Sequence, residues 1–229
     1  MRLHRFIGQF DLDNGELLVT DNELLNQWRN VLRLKTGDKL ILCDGAGREA
    51  EAVISDMSKD GIRLMIESVD TPEREPHKKA SLFCAVLKRE NFELVVQKAT
   101  ELGISRIVPL LTERTIKTGF NRDRLEKIIK EASEQSGRST LPELSEPLSF
   151  EKALETVIPQ ETIVFDLSGE NTRTYNLETK TSFFIGPEGG FSDKEVALAR
   201  DKGVAIASLG SLTLRGETAA IVASYLAVL

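Results

Sequence analysis

The segment Gly186-Pro187-Glu188-Gly189-Gly190-Phe191-Ser192 sets three glycines and one acid just after an apolar run ending at Ile185. Such a loop offers backbone chemistry, because glycine admits positive φ and lets amide and carbonyl groups approach a ligand closely. It does not match the GxxxxGK[ST] cradle of nucleoside triphosphates, and Glu188 would repel a phosphate. A second segment, Leu209 to Thr218, clusters Leu209, Leu212 and Leu214 in a loop, either as core plugs or as the wall of a pocket for a flat heterocycle. It ends on Arg215 and Glu217 at the start of an alanine-rich helix. Glu217 there suits the positive end of the helix dipole and, on charge alone, reads as a structural first-turn acid. Ser168-Gly169-Glu170 is a third, weaker loop candidate; three such loops after neighbouring strands suggest one continuous pocket.

Other chemistries lack material. His4 and His77 are the two histidines of the 229 residues, too few for a histidine zinc site or a Ser-His-Asp triad. Cys43 and Cys84 stand far apart inside apolar runs and read as buried free thiols. No apolar stretch approaches the roughly 20 residues of a membrane span, and Met1 to Phe10 has no signal core, so a cytoplasmic protein with no membrane partner is expected. The net charge of −6 argues against a nucleic-acid binder until it is divided along the chain. Residues 71 to 140 carry 14 basic and 10 acidic side chains, a local excess suited to tracking phosphates or to ordinary solvated helix faces.

Two kinds of pattern must position these loops. From Arg5 to Val69 short strands are expected at Arg5–Phe10, Glu16–Thr20, Lys39–Cys43, Glu49–Ser55 and Ile62–Val69, separated by turn signals, as in a small barrel. A helix capped by Asp21 interrupts them, with Leu24, Leu25, Trp28, Val31 and Leu32 on one face. Thr71 to Lys79, rich in charge and proline, reads as a linker between domains 1–70 and 80–229. Beyond it strands at Ser81–Leu87, Arg106–Leu111, Thr162–Leu167, Ser182–Ile185 and Ala205–Leu209 alternate with helices at Asn91–Leu102, Arg122–Ser136, Ser149–Thr156, Asp193–Lys202 and from about Glu217. This is an α/β domain with a mostly parallel sheet, in which ligands bind beyond the carboxyl ends of the strands.

The motifs IGPEGGFSDKEV and LGSLTLRGETAAI, with QKATELGISRIVPLLTERT (Gln97 to Thr115) and EASEQSGR (Glu131 to Arg138), resemble the SPOUT methyltransferases. They are most similar to the bacterial family that methylates N3 of a uridine in 16S ribosomal RNA of the small subunit. Arg2 to Phe6, VLRLKTGDKL and CDGAGREAEAVI resemble that family's PUA-like RNA-binding barrel, so the likeness covers nearly the whole chain. It implies a PUA-like β-barrel followed by a SPOUT domain with a parallel sheet and a deep trefoil knot, an exception to the rule against knots. It implies S-adenosyl-L-methionine held by Leu167, Gly186, Pro187, Glu188, Gly190, Leu209, Gly210, Leu212 and Leu214. It also implies a homodimer acting on small-subunit ribosomal RNA or the assembled subunit, with Arg2, Arg5, Arg33, Lys35, Arg114 and Arg138 toward RNA. Gly216 stands where members commonly have threonine, which removes a hydroxyl and is expected to loosen the helix start.

Methylating a uridine N3 requires that nitrogen to lose a proton. Arg215 is the candidate for stabilising the resulting charge on the flanking carbonyl oxygens, and Glu217 for orienting Arg215 or relaying the proton. Lys98 and Glu101, spaced i, i+3, are expected to form a local ion pair. The rival readings are a SPOUT enzyme acting on another RNA atom, a non-enzymatic RNA-binding assembly factor, and a small-molecule α/β enzyme.

Overall fold

The computed structural model describes residues 3–116 and 119–229 and divides into two compact units. Unit 1 comprises Met1–Glu75 together with Ser133–Leu141; unit 2 comprises Pro76–Ala132 and Pro142–Leu229. The expected linker at 71–79 is thus split at Glu75, and a piece of the second half belongs to unit 1. Polar contacts explain the latter: Glu134 accepts from the Ile7 amide at 2.8 Å, and Arg138 pairs with Glu75 at 2.8 Å.

In unit 1, strands β1 (His4–Ile7), β2 (Glu16–Val19), β3 (Lys39–Cys43), β4 (Glu49–Ser58) and β5 (Gly61–Asp70) form one sheet in the order β1-β3-β4-β5-β2. Only the β1–β3 pair is parallel. Alternation along β4 sends Ala50, Ala52 and Ile54 into a core with Phe6, Leu40, Leu42 and the fully buried Trp28, whose ring lies 4.9 Å from Phe6. Trp28 is delivered by α1 (Asn22–Asn26), capped by the Asp21 carboxylate on the Leu24 amide at 2.9 Å, and by the π-helical turn Gln27–Val31 that continues it. β1 stops at Ile7, short of the expected Phe10, where Gly8 donates to the Cys43 carbonyl.

Two of the arginines expected to meet RNA are used inside this unit. Arg5, with 9% of its side chain exposed, pairs with Glu49 and donates to the Cys43 sulfur at 3.0 Å. Arg138, 7% exposed, is taken up by Glu75. Arg33 and Lys35 remain exposed, Arg33 with φ +55, and Arg2 lies outside the described residues. Burial alone would raise the Glu49 carboxyl, but hydrogen bonds from Arg5 and Arg74 outweigh it and hold Glu49 below its ordinary range. A carboxyl so lowered stabilises the fold above its unfolded pKa, and that contribution is lost as pH falls through the folded value. Arg5→Ala should therefore cost about 2 kcal/mol at pH 7, since it leaves a largely buried carboxylate with one partner fewer. Urea unfolding at pH 7 and pH 3 should show this difference shrinking in acid; a pH-independent difference would mean that the pair carries no electrostatic stabilisation.

Unit 2 is an α/β sandwich around a parallel sheet. Strands β6 (Ser81–Ala85), β7 (Arg106–Leu111), β8 (Glu143–Leu144), β10 (Thr162–Asn171), β11 (Ser182–Ile185) and β12 (Ala205–Ser208) run in the order β12-β10-β11-β6-β7-β8, with β9 (Leu148–Ser149) also on β7. Successive residues face opposite layers, which is why these strands read as continuous apolar runs. Leu82, Cys84, Phe183 and Ile185 face α2 (Arg89–Leu102), α3 (Arg122–Ser136) and α6 (Gly216–Val228). Phe83 and Phe184 stack at 4.3 Å on the other side, toward α4 (Phe150–Glu155) and α5 (Asp193–Asp201). Burial pushes the thiols of both Cys43 and Cys84 upward, and both are buried and outside any disulfide, as expected of free thiols.

The expected loop at Ser168-Gly169-Glu170 is not a loop. β10 continues to Asn171, and its pairing with β12 shifts between Phe165 and Glu170, both of which register with Ala207. The residues between them bow out of the sheet as a bulge. Gly169 makes this possible: a Cβ there would lie 2.6 Å from the Ala207 nitrogen and the Ile206 carbonyl.

Candidate active site

The β10 bulge and the carboxyl ends of β11 and β12 open into one cavity of about 890 Å³ within unit 2. The order in which the chain lays down the sheet predicts this place. The chain leaves β6 toward β7 and returns to β10 on the other side, which makes a switch point of the kind where α/β sheets bind ligands.

The first wall comes from the β10 bulge, where Asp166, Leu167 and Ser168 turn outward and the Ser168 amide donates to the Asp166 carboxylate at 2.8 Å. The second is the glycine loop after β11. The Gly190 amide closes a turn on the Pro187 carbonyl at 2.8 Å, with Gly190 at φ +69. A Cβ at Gly186 would sit 3.1 Å from the Phe191 nitrogen, a close approach that glycine accommodates where the loop folds back on itself. Its far end is anchored by buried Phe191 and by a capping box that opens α5, with Ser192 as cap and Glu195 as its reciprocal partner. Glu195 also reaches another element, accepting from the Glu113 amide at 2.9 Å.

The third wall is the loop from Leu209 to Arg215. Ser208 Oγ donates to the Gly210 carbonyl at 2.7 Å, and Leu212 and Leu214 line the cavity. Leu212 is 77% exposed and Leu167 61%, an unusual cost for leucines in an empty loop and a natural one for the apolar walls of a ligand pocket. The core-plug alternative fails for Leu212, and all nine residues expected to hold a cofactor line this cavity.

Arg215 and Glu217 join them at the start of α6. Arg215 is the N-cap residue, exposed, and caps the helix through its carbonyl, which accepts from the Ala219 amide at 2.9 Å. Gly216 is buried at the helix start, where a Cβ would lie 3.0 Å from a Leu87 methyl carbon. Glu217 is half-buried and accepts from the Asn91 side-chain amide at 3.3 Å.

Of the described residues expected to meet RNA, Arg114 alone lines the cavity, and its guanidinium is engaged with the glycine loop. Nη1 donates to the Gly189 carbonyl at 2.8 Å and to the Phe191 carbonyl at 3.1 Å. Lys88 and Asn91, from the start of α2, line the cavity too, although neither was singled out in the sequence as a site residue. Their place follows from α2 starting beside α6, a tertiary fact without a local motif. Several basic residues of 71 to 140 are engaged in ion pairs: Arg89 and Arg124 with Glu93, Arg106 with Glu143, and Arg122 with Glu126 and Glu146. Lys98 and Glu101 form the expected ion pair at 2.8 Å.

A model of the RNA methyltransferase domain matches residues 73–228, and one of the RNA methyltransferase PUA domain matches residues 29–67. The ribosomal RNA small subunit methyltransferase E of Synechocystis sp. is 35% identical over 87% of this chain and 68% of its own length. The structure of a putative methyltransferase of Legionella pneumophila in complex with the cofactor SAM has a TM-score of 0.90 and 32% identity, covering 99% of this chain and 97% of that one. A ribosomal RNA small subunit methyltransferase E of Neisseria gonorrhoeae bound to S-adenosyl methionine has a TM-score of 0.89 and 26% identity, covering 97% and 95%. With a domain match over most of its length and relatives of this closeness, the chain belongs to the RNA methyltransferase family that includes the ribosomal RNA small subunit methyltransferases E.

Proposed function

We propose that this protein transfers a methyl group from S-adenosyl-L-methionine to N3 of a uridine in small-subunit ribosomal RNA. The observation that carries the reading is the convergence, beyond three neighbouring parallel strands, of a glycine loop, exposed leucines and the Arg215–Glu217 pair on one cavity. A volume of about 890 Å³ suits a nucleoside cofactor and leaves room for an incoming base. Backbone groups of Gly186 to Gly190 and Leu209 to Gly210 would hold the cofactor's polar edges, with Leu167, Leu212 and Leu214 against its flat ring. The cofactor supplies an electrophilic methyl carbon on a sulfonium.

The chain's own groups do the rest. Arg215, at the cavity wall, donates to a carbonyl oxygen of the base as negative charge develops there, and Glu217 accepts the N3 proton. The surrounding loops align the nitrogen with the methyl carbon and thereby lower the entropic part of the barrier. The relatives' names and the PUA match support a ribosomal RNA substrate, for which the exposed Arg33 and Lys35 of unit 1 are candidate phosphate contacts. The same reading includes closure of the unit 1 sheet as a PUA-like barrel. It includes a trefoil knot in unit 2, supported by α6 packing back beside α2 after the chain has reached the edge strand β12. It includes a homodimer, supported by exposed Tyr225 and Leu229 near the chain's end, and a cytoplasmic location, consistent with no described helix being long and apolar enough to cross a membrane.

Calorimetric titration with S-adenosylmethionine tests the cofactor half of the reading. Saturable binding is expected, and its absence would overturn the reading in favour of a non-enzymatic RNA-binding factor. In the same titration Arg114→Ala should weaken binding about tenfold, because the glycine loop loses two hydrogen bonds from a charged donor. The salt dependence of RNA binding should not change; a slope reduced by about 1 would instead make Arg114 a phosphate ligand.

A further inference from the structure

We propose that Asn91 is a positioning residue for this methyl transfer, holding the Glu217 carboxylate between the starts of α2 and α6 so that its second oxygen meets the proton leaving the target base. The inference rests on the reading above and assigns a role to a residue outside its motifs. Asn91 is the third residue of α2, and Glu217 the second of α6; both line the cavity. The Asn91 Nδ2 to Glu217 Oε2 hydrogen bond, at 3.3 Å, spans 126 residues of sequence and joins the two helix starts. Among the described residues Glu217 has no ion-pair partner, and Arg215, two residues away, forms none with it.

A neutral partner suits a proton acceptor. A lysine or arginine on Glu217 would favour the ionised carboxylate and make it a poorer base, whereas a carboxamide fixes its orientation with much less electrostatic bias. The Asn91 carboxamide is too weakly basic to take up the N3 proton itself, so it does not compete with Glu217 for it. With Oε2 engaged, Oε1 is left for the base. As N3 forms its bond to the methyl carbon, the N–H proton passes to Oε1 and the carbon–sulfur electron pair returns to sulfur. One positive and one negative charge are consumed, leaving a neutral methylated base, a neutral thioether and a neutral Glu217 carboxyl that releases its proton to solvent.

The test is a double-mutant cycle of Asn91→Ala and Glu217→Gln in single-turnover methylation of small ribosomal subunits, with cofactor and RNA affinities measured alongside. Asn91→Ala is expected to slow the methyl-transfer step about tenfold with both affinities within about twofold. Added to Glu217→Gln it should cost little more, because two residues acting through one group are not additive. Full additivity, or a loss that lies in affinity alone, would overturn the role assigned to Asn91 while leaving the proposed reaction standing. Failure of the unaltered protein to form N3-methyluridine would overturn both.

Discussion

Arg215→Ala should lower kcat by about 10²–10³-fold, the usual consequence of removing one preorganised donor from a site of developing charge. The dissociation constant for S-adenosylmethionine should change only a few-fold. The asymmetry follows from how Arg215 is held. Its backbone caps α6 through the carbonyl, which alanine keeps, while its exposed side chain makes no capping bond and lines the cavity. The helix and the leucine loop before it should survive the substitution, and only the donor to the base should be lost. Arg215→Lys keeps the charge without the planar fork and should recover part of the rate. Steady-state kinetics beside a cofactor titration decide the matter. If cofactor binding and turnover fall together, the arginine supports the loop rather than the reaction.

Gly169→Ala is expected to have the largest effect on stability, about 3 kcal/mol, although it adds one methyl group. That methyl would lie 2.6 Å from backbone atoms of Ile206 and Ala207, and a sheet backbone has no rotamer with which to yield. Relief requires β10 and β12 to separate or the bulge to change register. Either response moves Asp166, Leu167 and Ser168, so cofactor affinity should fall with stability. A melting temperature and a cofactor dissociation constant within error of the wild type would show that the bulge is softer than its contacts imply.

The cavity walls built from local motifs were more legible in the sequence than the wall formed where two helices start side by side. The glycine loop and the leucine loop are local motifs whose residue types carry their conformations, so Gly186, Gly190, Gly210, Leu212 and Leu214 could be named before their elements were assembled. Lys88 and Asn91 begin a helix with an ordinary amphipathic pattern, and nothing nearby says that α6 will start beside them. Ser168-Gly169-Glu170 carries turn chemistry and so reads as a loop in sequence; the contact with β12 that keeps these residues within a strand lies nearly 40 positions away in the chain. The resemblance directs Arg5 and Arg138 toward RNA, but local motifs do not register that Glu49 and Glu75 engage them in unit 1. Arg114, expected toward RNA, lines the cavity with its guanidinium on the glycine loop.

Gly216 shows how a departure from a familiar motif is settled by packing. Read alone it removes a hydroxyl and weakens a helix start; in the fold it makes room for the buried Leu87 side chain against α6. Leu87 lies where a side chain at 216 would begin, and Arg215 and Glu217 flank Gly216 on the cavity.

The central claim is tested most directly by incubating the protein with labelled S-adenosylmethionine and small ribosomal subunits that lack the modification, then digesting the RNA to nucleosides. The account predicts that the label appears in N3-methyluridine and in no other nucleoside. Label in a different nucleoside, or none despite demonstrated cofactor binding, would contradict it.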